Sequence, residues 1–195
     1  MSNFTVHSLQ SVPEASKAPL RALEEVFGFV PNLARAMAES PVLIKGFIGL
    51  FQNVHAGSFG EAEIQVLLLT NAVTNNSRWA IAFHTHLALA QGVAVADVEA
   101  IRARRAPDDI RHAALSAVAR SLIENRGKLD AAAQSGFHEA GYRPDQLLEL
   151  IGVVAASTLT NYAGNVVQPP LEDFLQATET TAAPAASRPS SGGSD

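Results

Sequence analysis

The sequence predicts an all-α protein of eight or nine helices, and three observations carry that prediction. Apolar residues recur three and four positions apart in every segment able to supply a core. Helix punctuation recurs along the chain, with Ser40-Pro41, Gly92, Gly127, Gly141 and Pro144-Asp145 serving as caps, stops and first-turn residues. Nowhere do apolar and polar residues alternate between turn signals in the manner of a strand.

Taken in order, Pro13 leads into a helix over 14–27, where Leu20, Leu23, Val26 and Phe27 share a face. The turn Gly28-Phe-Val-Pro-Asn32 hands over to a short helix ending near Glu39. Ser40 as N-cap and Pro41 at the first helical position open a third helix to His55, with Leu43, Ile44, Phe47, Ile48 and Phe51 on a broad apolar face. Ser58 with Glu61 three residues on is a capping-box pattern, which predicts a helix over 59–73. The three residues Thr74–Asn76 then force the next helix, from Ser77 to Gln91, to run back antiparallel. Ser77 is its expected N-cap and Gly92 its stop.

A modest amphipathic helix follows over 93–104, with Asp97 and Glu99 expected to face water. Pro107-Asp-Asp109 opens another that runs to Arg126, its buried side built from Ile110, Ala113, Ala114, Ala117, Val118 and Leu122. A further helix spans 129–140, and a long apolar one spans 146–162. From Thr178 the chain is Thr, Ala, Pro, Ser and Gly with almost no large apolar side chain, a composition expected to stay disordered. The expected organisation is therefore one domain over 1–177 and a tail over 178–195.

The helix over 77–91 is the centre of interest. Arg78 is its only charged residue, while Trp79, Ile81, Phe83, Leu87 and Leu89 reach more than one face, so protein should surround it. It carries His84 and His86, which lie about 200° apart around the axis and cannot share a pocket. Ser77, Ala80, His84 and Ala88 fall on one stripe.

Charge narrows the partners. A net charge of −5 and a pI near 5.7, without a cluster of Lys and Arg, argue against nucleic acid. No uninterrupted apolar run reaches the roughly 20 residues that span a bilayer, and the first residues lack a secretory pattern, so the expected location is the cytoplasm, without a membrane partner. With 47% hydrophobic and 17% charged residues, the chain is expected to cover apolar surface with copies of itself. Cysteine is absent, which removes thiolate metal sites and every thiol mechanism.

The segment Phe27-Gly-Phe-Val-Pro-Asn32, the helical pair over 59–91, the Gly92 stop and the late Asn161-Tyr162 together resemble the alkylhydroperoxidase D and carboxymuconolactone decarboxylase superfamily, in its single-domain peroxidase-related branch. The likeness spans about residues 4–175 and implies an alkylhydroperoxidase-D-like helical bundle that assembles as a homotrimer or homohexamer. In thiol-active members a glutamate precedes a Cys-x-x-Cys, and a histidine follows four residues later. The glutamate position falls on Gln65, the cysteine positions on Ser77 and Ala80, and the histidine on His84. The histidine that often follows the Asn-Tyr falls on Asn165. Only His84 survives. The resemblance thus implies the family's pocket without its redox pair. The run Arg78-Trp-Ala-Ile-Ala-Phe-His84 also resembles the decarboxylase branch, which works without thiols or cofactor.

These residues point to a cofactor-free enzyme acting by proton transfer on a small organic acid or carbonyl compound. In that reading His84 carries the proton, Gln65 and Ser77 position the ligand, and Trp79, Ala80, Phe83, Tyr162 and Asn165 contact it. Each residue also has a structural alternative. His84 can be a core histidine bonded to Gln65 or to a backbone carbonyl, and Ser77 a cap. Ser77 as a nucleophile for His84 is disfavoured by about 10.5 Å of helix between them. Trp79 and Phe83 can be packing, and Tyr162 and Asn165 helix-end groups. A metal held by His84, His86, His55 and a carboxylate lacks ligand spacing in the core helices, so no metal is expected. The rival function is a non-catalytic ligand-binding or assembly protein of the same fold. A peroxidase or oxidoreductase by kinship alone is a third reading that the residues do not support.

Overall fold

A computed structural model describes residues 4–176; the tail predicted over 178–195 lies outside them. Nine α-helices make up the described residues, which contain no strand: α1 (Glu14–Phe27), α2 (Asn32–Met37), α3 (Pro41–His55), α4 (Glu61–Thr74), α5 (Arg78–Ala90), α6 (Val95–Arg102), α7 (Ile110–Glu124), α8 (Ala131–Glu139) and α9 (Pro144–Val167). A 3-10 turn, Asp173–Leu175, follows α9 and has no counterpart in the sequence prediction.

Most expected boundaries hold because the chain supplies their caps. The Ser40 hydroxyl accepts the Leu43 N–H at 3.3 Å, and the carboxylates of Asp109 and Asp130 cap α7 and α8 in the same way. Gly92 and Gly127 take φ of 82° and 86°, left-handed values that let the backbone close α5 and α7 without a side-chain clash.

Four expectations need correction. The capping box of α4 sits two residues later than predicted: Glu63, not Glu61, takes the N–H of Gly60, at 3.0 Å, while Ser58 is held by Glu149 instead. Asp97 does not face water. It is buried, taking a hydrogen bond from His112 Nδ1 at 2.7 Å and from the Asp108 N–H at 2.8 Å, and so ties α6 to the start of α7. Ile110, expected in the core, is 72% exposed at the first position of α7. Finally, α9 runs on to Val167, five residues past the predicted end, because Gln168 supplies the left-handed C-cap with φ 47°.

α9 is the one described helix long and apolar enough to cross a membrane by length and composition. One side of it packs against α2, α3, α4, α5 and α7, while Leu148, Ile151 and Val166 stay exposed. α4 and α9 run side by side in parallel, since Ser58 meets Gln146 and Glu149 at one end and the Asn165 amide donates to the Asn75 carbonyl at the other. α5 doubles back along α4. These central helices separate two cores. One gathers α4, α7, α8 and the first half of α9 around Ile64, Leu67, Leu115, Phe137 and Leu150. The other gathers α1, α2, α3, α5 and the end of α9 around Leu20, Leu23, Ile44, Trp79 and Leu175.

Candidate functional site

The second core is not filled. Between α1, α2, α3, α4, α5 and α9 lies a cavity of about 500 Å³, within the range of small-molecule sites. Its walls follow from helical spacing. On α5, Trp79, Phe83 and Leu87 recur every four residues and present one apolar stripe. Phe47 and Phe51 do the same on α3, and Leu23, Val26 and Phe27 close the side formed by α1. The rings interlock: Trp79 stacks on Phe83 with centroids 4.6 Å apart, Phe27 meets Phe83 edge-on at 5.5 Å, and Phe51 lies 5.9 Å from Phe27. Val26 and Glu61 are exposed, so the cavity opens to solvent at that rim.

Two polar pairs, together with Gln91, Ser157 and Thr160, interrupt this mostly apolar lining. On its floor His84 lies beside Gln65, with Nδ1 3.0 Å from Oε1. An amide oxygen only accepts, so Nδ1 carries the proton and Nε2 is left with its lone pair and no hydrogen-bond partner. Burial pushes the His84 pKa down to about 3, and charge on nearby His55 pushes in the same direction. The ring is therefore neutral at physiological pH. It can take a hydrogen bond or a proton from a bound molecule but does not itself arrive charged.

The second pair is His55 with Glu61, Nδ1 to Oε1 at 2.9 Å, at the more open side. Glu61 stands one turn before Gln65 on the same face of α4, and His55 ends α3, where its ring lies 4.3 Å from that of Phe51. Both line the cavity.

Of the residues singled out in the sequence, His84, Gln65, Trp79 and Phe83 line the cavity, and the other four do not. Ser77 is wholly buried behind it. Its hydroxyl has no partner and makes no cap, and it lies where a Cβ on Gly164 would come within 3.2 Å. Ala80, also buried, belongs to the second core and is not among the residues that line the cavity. Tyr162 is 59% exposed on the outer side of α9, and Asn165 is occupied by the Asn75 carbonyl. His86 is exposed, its ring against Phe174. Among the described residues no three His, Cys, Asp or Glu side chains are grouped to hold a metal.

Sequence reasoning missed Glu61 as a site residue, and met His55 only as a metal ligand. The available signal was the four-residue spacing of Glu61 and Gln65, which puts both on the face turned to α5. It missed Glu172 as well. That carboxylate accepts the Trp79 indole N–H at 3.0 Å and the Asn32 N–H at 2.6 Å, pinning a cavity wall to the segment after α9.

No family model matches the sequence, and neither does any curated protein. Solved structures do match the fold. An uncharacterized peroxidase-related protein with an alkylhydroperoxidase AhpD core from Ralstonia eutropha JMP134 superposes with a TM-score of 0.75 at 14% identity, over 89% of this chain and 94% of that one. The debrominase Bmp8, in a cysteine-to-alanine variant bound to 2,3,4-tribromopyrrole, gives 0.77 at 18% identity over 92% of this chain and 97% of that one. A peroxidase-related protein from Silicibacter sp. TM1040 gives 0.71 at 14% identity, covering 89% and 92%. At these identities the likeness establishes the alkylhydroperoxidase-D-like fold.

Proposed function

From an alkylhydroperoxidase-D-like fold without a single cysteine, we propose a thiol-independent enzyme that moves a proton on a small carbonyl compound or a weakly acidic relative of one. The observation that carries this reading is His84: a neutral imidazole, oriented by Gln65, with a free Nε2 in a mostly apolar cavity that also holds the His55–Glu61 pair. Two imidazoles in one cavity are placed in different environments. Desolvation favours the neutral form of His84, while His55 is hydrogen-bonded to a carboxylate. Acid–base chemistry needs one group to accept a proton while another donates one, and two imidazoles with different partners in one cavity supply the candidates. Aromatic walls hold the carbon skeleton. The debrominase neighbour, captured with a halogenated pyrrole, supports an aromatic occupant of comparable size.

Peroxide reduction by cysteine has no sulfur to run on here, so incubation with peroxide and a thiol reductant is expected to consume no more peroxide than buffer does. The test of the positive claim is deuterium wash-in, followed by NMR, at the carbon next to the carbonyl of small apolar ketones in heavy water. Wild type should accelerate exchange and His84→Ala should not; equal rates with and without His84 would sink the proposal. One observation favours a non-catalytic ligand-binding reading instead: a histidine with a pKa near 3 is a weak base, well suited to accepting a hydrogen bond without completing a transfer. Saturable binding without exchange is the outcome that supports it.

A further inference from the structure

The charge on the cavity narrows what enters it. No Lys or Arg side chain is among the described residues that line the cavity, and the only acidic one is Glu61. Glu61 is bonded to His55, so that pair sums to zero or to minus one, whichever protonation state His55 takes. His84 adds no charge while neutral, and Gln65 already uses its carbonyl oxygen on the imidazole. A carboxylate moved from water into this lining would lose its hydration with no Lys or Arg to pair with, since the remaining polar groups Gln91, Ser157 and Thr160 are neutral and His55 is already paired with the Glu61 carboxylate at the rim. A neutral molecule pays neither cost, and the unpartnered Nε2 of His84 offers it an acceptor.

We infer that the cavity takes an uncharged, planar ligand bearing an O–H or N–H donor, and that it selects against carboxylates of the same shape. The inference rests on this cavity being the working site, but not on any reaction taking place there.

The molecule carries its own probe. Trp79 is the only tryptophan in the sequence and forms a cavity wall, so its fluorescence reports occupancy. The full-length protein is titrated at neutral pH with benzamide, benzoate and methyl benzoate: a neutral donor, an anion of nearly the same outline, and a neutral ester without a donor. Benzamide should bind at least about tenfold more tightly than benzoate, and several-fold more tightly than the ester. Glu61→Gln should narrow the gap between benzamide and benzoate by raising benzoate affinity. His84→Phe, which keeps a ring but removes the acceptor, should erase the preference for benzamide over the ester. Benzoate binding equal to or tighter than benzamide overturns the inference, as does the absence of a saturable signal with any of the three, and both results come from wild type alone. Charge-selective binding without deuterium exchange removes the enzyme reading and leaves this one standing. Exchange accompanied by a preference for benzoate does the reverse.

Discussion

Glu61 and Glu63 sit two residues apart in the first turn of α4 and have opposite fates. About 200° of helix separates them, so Glu61 faces the cavity and Glu63 faces the filled core. Glu63 is saturated. Its Oε1 accepts the Tyr142 hydroxyl at 2.6 Å and Arg111 Nη2 at 2.8 Å, and its Oε2 accepts the Gly60 N–H. Arg111 also lies 4.2 Å over the Tyr142 ring. Burial alone would raise the Glu63 pKa, but the hydrogen bonds from Tyr142, Arg111 and Gly60, with the charge of Arg111, hold it below the usual carboxylate range. The tyrosine is pushed well above its ordinary value, first by burial and then by the carboxylate it bonds. Glu61 has only His55, and half of its side chain meets water. A carboxylate whose lone pairs are all spoken for holds helices together. One with a single titratable partner beside a cavity is available for chemistry.

That contrast can be broken by experiment, most sharply at the cavity. His84→Ala should lower deuterium exchange by at least about a hundredfold, the scale of a lost acid–base group, while the protein stays folded by circular dichroism. On the clamp side Glu63→Ala should cost about 1–3 kcal/mol in urea unfolding, because it leaves the hydroxyl of buried Tyr142 without its acceptor and removes the partner of the exposed Arg111. Removing only the hydroxyl, as Tyr142→Phe, should cost about 1–2 kcal/mol by the same measurement and leave ligand binding as it was. Glu61→Gln should change unfolding by no more than about 1 kcal/mol, as befits a part-exposed pair, yet alter binding. If Glu61→Gln proves the more destabilising of the two glutamate changes, the assignment of roles is inverted.

Acid titration of stability separates the two sides by window. His84 titrates near 6.5 when unfolded and about 3 when folded, so between those values the unfolded chain binds more protons and stability falls as pH falls. Glu63, with its folded pKa depressed, contributes stability above about 4.5 that is lost as pH drops through its lowered value. His84→Gln should therefore flatten the slope beginning near pH 6.5, and Glu63→Gln only the slope below about 4.5.

The helices were readable because each records itself locally: caps, stops and apolar spacing lie within a dozen residues of one another. The same locality explains the misjudgements. Asp97 reads as a surface acid until His112, fifteen residues on, folds over it, and Ile110 reads as core although α7 begins too abruptly to turn it inward. The site was half legible. His84, Trp79 and Phe83 follow from spacing along one helix, and Gln65 from correspondence with the glutamate of relatives on the neighbouring helix. Ser77, Ala80, Tyr162 and Asn165 were chosen by correspondence with relatives that use those positions, and here α9 packs Gly164 against Ser77 and turns Tyr162 outward. His55 enters from another helix across a five-residue loop whose path no periodicity specifies.

The Glu172 bond to Trp79 bears on how the protein should be handled. Recombinant versions trimmed to the end of the last long helix would leave out the carboxylate that anchors both the indole and the backbone at Asn32. Trimming should therefore stop no earlier than residue 176, and an affinity tag placed directly after Val167 would replace an anchor of the aromatic wall rather than an inert end.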